Sequence, residues 1–193
     1  MKVEACHDLR AFFRQQLTLA LTRRRIDARP ETEAYIAGVL VDCGMQPPRL
    51  DRPLVVALNE ALACESALRT VRLMRTGDAA LCLAGLFAPH VERTVGSLGL
   101  YIHLGSMAYQ RAADASRGDA SPPAPVDTLA ELGEGFPRFV DALHEVAESS
   151  ALGAVTRDVV RLYDRLRAAG SERAAEEMAR QGLFPAPGAK GTC

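Results

Sequence analysis

Histidine and carboxylate side chains on one helix face are the first candidates for chemistry here, because facing helices can hold a metal between them. A di-iron bundle takes two Glu-x-x-His motifs and two further glutamates. Only Glu4-Ala-Cys-His7 has that spacing, at the N-terminus, where helices fray. His144 has Asp141, Glu145 and Glu148 beside it but no second histidine on its helix, and the run from His144 ends on a glutamate where a zinc protease needs histidine. His103 or His144 could serve as an axial haem ligand, although one histidine at helical spacing is far more often ordinary. Neither a metal nor a cofactor is therefore expected. Nucleophilic catalysis finds no support either: there is no nucleophile elbow, and Cys64 and Cys82 have no histidine near them in sequence. No catalytic residue is assigned, and the balance favours a protein that is not an enzyme.

A ligand pocket has better support. Between about residues 97 and 117, one helical line reads Tyr101, Gly105, Ala108, Ala112. Glycine inside a helix costs about 1 kcal/mol relative to alanine, so something must offset it. Close approach of a second helix would do so, and so would room for a small apolar ligand beside Tyr101, Gly105 and Tyr109. Glu65 and Phe87 would bound that pocket. Glu65 falls on the apolar line of its own helix, where a surface pair with Arg69 is the alternative to an acid lining a pocket. His103, Ser106 and Gln110 make a polar line on another side, suited to solvent or a dimer contact.

The elements that must position these residues read as helices throughout. The first spans about 4–25 and ends on Arg23, Arg24 and Arg25, cations that suit the carbonyl end of the helix dipole. A second starts at Pro30 and stops at Gly44. A third follows Pro53 and runs to Thr76, where Gly77 ends it and Asp78 caps a short helix over 79–84. The run Gly85-Leu86-Phe87-Ala88-Pro89 reads as another left-handed stop, echoed at Gly182 to Pro185. The buried central helix, 97–117, precedes a flexible loop over Arg117 to Pro125. Leu129, Leu132, Phe136, Phe139, Leu143 and Val146 then form a narrow bundle seam within 126–149. Pro137 should kink that helix, and Glu131, Glu134, Asp141, Glu145 and Glu148 form a solvated acidic stripe. Helices over 155–169 and 172–181 close the chain as a hairpin.

The bulk properties narrow the class. With 48% hydrophobic and 24% charged residues in 193, the chain can bury one substantial core. A net charge of −1 removes any global basic field for nucleic acid or anionic lipid. Arg157, Arg161, Arg165 and Arg167 are offset by Asp158 and Asp164, which disfavours a DNA-reading helix. Five cysteines without Cys-x-x-Cys spacing argue against a disulfide framework or a structural zinc. Without a secretory signal or an apolar run of about 18 residues, the expected compartment is the reducing cytoplasm, with no membrane partner.

The arrangement Gly77-Asp78, Gly85-Leu86-Phe87 and Tyr101-Ile102-x-x-Gly105-x-x-Ala108-Tyr109 resembles an uncharacterised family of small all-helical bacterial proteins. The resemblance implies an all-α bacterial fold and brings no activity or site residues with it. The expected architecture is a single all-α domain over 1–184, a bundle of seven to eight helices with a disordered tail at 185–193. The expected function is a non-enzymatic interaction or regulatory module that binds a protein partner or a second copy of itself. The alternative is a small apolar-ligand-binding protein using Glu65, Phe87, Tyr101, Gly105 and Tyr109.

Overall fold

The structure, a computed structural model, describes residues 2–45, 48, 53–95, 97–117 and 122–149. The expected terminal hairpin (155–181), the stop at Gly182, the tail and the middle of the proline-rich loop lie outside these. Every regular element among the described residues is an α-helix: α1 Lys2–Arg24, α2 Pro30–Met45, α3 Leu54–Ala63, α4 Ser66–Leu86, α5 Ala88–Val95, α6 Leu98–Ser116 and α7 Val126–Ser149. None of them is long and apolar enough to cross a membrane.

α4, α6 and α7 pack on one another at the centre, α3 lies on α4, and α1 lies on α2 and α7. The seam of α7 is wholly interior: Leu129, Leu132, Phe136, Phe139, Leu143 and Val146 are all fully buried. The most enclosed segment, however, is the end of α4 and its junction with α5. Residues 80–88 are buried without interruption, whereas α6, expected to be enclosed on most sides, buries one face only. That face carries Tyr101, Leu104, Gly105, Ala108, Tyr109, Ala112, Ala113 and Ser116. Leu100, His103, Gln110, Arg111 and Asp114 are exposed.

The clearest difference in helix boundaries is at Gly77: α4 runs straight through Gly77 and Asp78, where a stop and a cap were expected, and ends at Leu86 within the expected Gly85-to-Pro89 stop, while α2 ends at Met45, one residue past Gly44. The break in this region falls instead at Cys64-Glu65, both extended (φ −70°, ψ 156° and φ −63°, ψ 154°). Glycine's small size explains the difference. A Cβ on Gly77 would stand 2.8 Å from the Tyr109 ring, and one on Gly85 would stand 2.6 Å from Leu143 Cβ. These glycines are contact points for large side chains on α6 and α7. Among the described residues, the helix end marked by a left-handed residue is at an arginine, after α1. Arg25 has φ 55°, its N–H donates to Thr22 O at 3.2 Å, and Ile26 N–H donates to Leu21 O at 2.9 Å. This pair of bonds is the Schellman motif.

The acidic face of α7 is not simply solvated. Glu131 accepts from Arg29 N–H at 3.2 Å and from the Thr32 hydroxyl, capping the first turn of α2 from another helix. Glu145 pairs with Arg23 at 3.3 Å and Arg24 at 3.0 Å, and these arginines hold its carboxyl below the usual range. His144 donates from Nε2 to Ala84 O at 2.7 Å, satisfying a carbonyl in the last turn of α4.

Candidate functional site

Asp78 sits mid-helix in α4, and its carboxylate does not cap. Tyr35 of α2 and Tyr109 of α6 both donate to its Oδ1, at 2.9 Å and 2.7 Å. Three helices thus converge on one oxygen. Tyr35 and Tyr109 meet edge-on with ring centroids 6.2 Å apart, and Tyr109 in turn leans on Phe136 at 5.9 Å. Burial pushes the Asp78 carboxyl up to about 6, against the two phenol hydrogen bonds, which favour the carboxylate. Nearby Asp42 raises it further and Arg75 opposes that rise. Burial, followed by the charge of Asp78, pushes both phenols upward, so each stays a donor at neutral pH.

Asp78 also lines a cleft of about 630 Å³ between α2 and α4, together with Val39, Asp42, Cys43, Pro48, Arg75, Ala79 and Cys82. The spacing follows from the helix. Arg75, Asp78, Ala79 and Cys82 recur at three and four residues on α4, and Val39, Asp42 and Cys43 do so on α2. Cys43 and Cys82 join the two walls as a disulfide, with Cα atoms 6.4 Å apart, an ordinary spacing for such a bridge. The scattered spacing argued against a disulfide framework and gave no sign of this single bridge. Cysteines 39 residues apart carry no local spacing signal, and only the α2–α4 packing brings them together. Cys64 is free.

The residues expected to form a pocket are placed differently from one another. Gly105 is filled around: a Cβ there would overlap the Phe136 ring and lie 2.8 Å from Ala80 Cβ. Tyr109 is fully buried with its hydroxyl on Asp78, and Tyr101 and Phe87 are buried in the core. Burial also raises the Tyr101 phenol. Glu65 is exposed at the N-terminus of α4, thirteen residues and about 20 Å of helix from Asp78. Arg69, its expected partner, donates through Nε to Cys64 O at 3.1 Å. Tyr109 therefore joins the Asp78 cluster, and Glu65 stands apart from it.

The line of His103, Ser106 and Gln110 also divides. The Ser106 hydroxyl turns inward and donates to Gly133 O of α7 at 2.6 Å. Among the described residues, no group of three or more histidine, cysteine or acidic side chains is placed to hold a metal ion. Comparison with protein-family models, curated proteins and solved structures finds no match for this chain.

Sequence reading missed Asp78, Tyr35, Asp42 and Arg75 as a set. The available signal was an aspartate leading directly into an apolar run, Ala79 to Ala84, and such a group is costly to bury without partners.

Proposed function

We propose that the protein binds a small molecule in the cleft between α2 and α4, and that Asp78 receives a hydrogen-bond donor from it. One observation carries this reading: a carboxyl group fixed by two phenols, Tyr109 fully buried and Tyr35 half-buried, lines an open cleft. Fixing the acid by Tyr35 and Tyr109 lowers the ordering cost of using it for recognition. Val39 and Ala79 offer apolar wall, while Asp42 and Arg75 supply charges of both signs. A ligand with a donor head and an apolar body fits that lining. The reading moves the ligand from the apolar line of Gly105 to the far side of Tyr109, and it assigns no catalysis. Native mass spectrometry of the full chain tests it, with Ala79→Phe to fill the cleft. A bound small molecule in the wild type and none in Ala79→Phe is the expected result. Equal ligand content in both proteins would reject the cleft.

A second reading, a self-associating interaction module in the cytoplasm, draws on exposed apolar side chains. Val55, Val56 and Leu62 on α3, Leu68 on α4 and Leu100 on α6 are each more than a third exposed. The same native spectrum reports copy number. A strictly monomeric protein whose solubility is unchanged by Leu62→Glu would sink this alternative.

A further inference from the structure

The disulfide lies on the wall of the open cleft, where a purely structural bridge has no need to be. Cys43 and Cys82 line the same space as Asp78, and Cys82 follows Asp78 by four residues on α4. Side chains at that spacing stack on one helix face with Cβ atoms about 5–6 Å apart. A carboxyl that can exchange a proton near neutral pH is therefore one turn from a sulfur atom. The rest of the cysteine pattern does not resemble a disulfide scaffold, since the number is odd and Cys64 is free. In the reducing cytoplasm proposed for this protein, a bridge belongs more often to exchange chemistry than to a framework.

We propose that Cys43–Cys82 is an exchangeable disulfide, opened and closed by a small thiol that enters the α2–α4 cleft, with Asp78 as the proton donor to the departing sulfur. This rests on the cleft being a ligand site. Cys82 is the sulfur one turn from Asp78 on α4 and so the one it can protonate, which makes Cys43 Sγ the sulfur that the incoming thiolate attacks. A bond forms between the small thiol and Cys43, the Cys43–Cys82 bond breaks, and the electron pair leaves on Cys82 Sγ. The Asp78 carboxylic acid protonates Cys82, and its carboxylate recovers the proton that the small thiol released. A second small thiolate then attacks the mixed disulfide at the small-molecule sulfur. It leaves as the small disulfide, while Cys43 departs and takes up the second thiol's proton. Two thiols are oxidised and one protein disulfide is reduced, and the reverse sequence re-forms it. Carboxyl assistance near its own pKa is efficient because both protonation states are populated.

The test uses the full oxidised chain and reduced glutathione as probe under native conditions, read by alkylation and intact mass. Opening should be complete without denaturant, and oxidised glutathione should load Cys43 in the Cys82→Ser variant. Per thiolate, the wild-type rate should fall as pH rises through about 6, where Asp78 loses its proton. Asp78→Asn should open about tenfold more slowly at pH 6 and lose that profile, while both proteins open equally fast when unfolded. A disulfide that opens only in denaturant overturns the proposal, as does an Asp78→Asn profile that matches wild type. If a ligand is retained while the disulfide stays inert, exchange alone is lost. If no ligand binds and the disulfide is inert, the cleft reading falls with it.

Discussion

Tyr109 Oη donates to Asp78 Oδ1 at 2.7 Å, and the residue that permits the bond is the glycine beside the acid. A Cβ on Gly77 would stand 2.8–2.9 Å from three atoms of the Tyr109 ring, so the ring reaches α4 only because that surface is bare. Tyr109 is fully enclosed and has nowhere to retreat. Gly77→Ala should gain about 1 kcal/mol of helix propensity and lose more through overpacking, typically about 1–3 kcal/mol. Net destabilisation, together with a further rise of the Asp78 pKa as the phenol bond lengthens, is the expected outcome. Thermal unfolding and carboxyl NMR titration read the two effects, and a more stable Gly77→Ala protein would refute the contact.

The same carboxyl predicts how stability follows pH. Folding raises Asp78 from 3.8 to about 6, so the native state binds this proton more tightly than the unfolded chain does. The stability that comes with it is fully present below the ordinary carboxyl range. It declines as pH rises from about 4 and is lost above about 6, by roughly 3 kcal/mol over the window. Asp78→Asn keeps an acceptor for both phenols and has no charge to desolvate. It should therefore be more stable than wild type at pH 8, by about 1–3 kcal/mol, with the advantage shrinking towards pH 4. Denaturant melts at the two pH values measure this, and a pH-independent difference would contradict the assignment.

The helical class and the seam of α7 were legible because periodicity reports directly on burial. Six apolar residues at three-four spacing had to face inward, and they do. Glycine was the residue that misled. Read locally, Gly77 and Gly85 are left-handed stops, the commonest use of glycine at helix ends; α4 does stop just after Gly85, at Leu86, but neither glycine is left-handed. Their role here depends on Tyr109 and Leu143, which lie 32 and 58 positions away, and no local rule contains that information. The Cys43–Cys82 bridge and the Asp78 cluster were hidden for the same reason: each is assembled by the packing of α2 and α6 on α4. The break at Cys64-Glu65 carries neither glycine nor proline, so composition could not mark it.

Gly105 repeats the spacer principle at the centre of the bundle. The Phe136 ring fills the space where its side chain would be, with Phe136 Cε2 2.6 Å and Ala80 Cβ 2.8 Å from an added Cβ. Gly105→Leu should separate α6 from both α4 and α7, costing about 1–3 kcal/mol or more. A truncation of Phe136 to alanine in the same chain should recover part of that loss, because the cavity it opens accepts the leucine. Equal melting temperatures for Gly105→Leu and wild type would show that the three helices do not meet there.

Pro137 lies inside α7 and leaves one carbonyl without its usual donor. In an α-helix the N–H of residue 137 would bond to Gly133 O, and proline has none. The Ser106 hydroxyl supplies the missing proton from α6, at 2.6 Å. It can approach because a Cβ on Gly133 would stand only 3.2 Å from Ser106 O and 2.6 Å from Gln110 Cγ. Ser106→Ala leaves that buried carbonyl unsatisfied, which costs about 1–3 kcal/mol. Pro137→Ala restores the helical N–H, so the serine hydroxyl becomes redundant in that background. The expected signature is a double-mutant cycle in which Ser106→Ala is costly beside Pro137 and nearly neutral beside Ala at the same position. Equal costs in the two backgrounds would mean that the hydroxyl does not stand in for the absent amide.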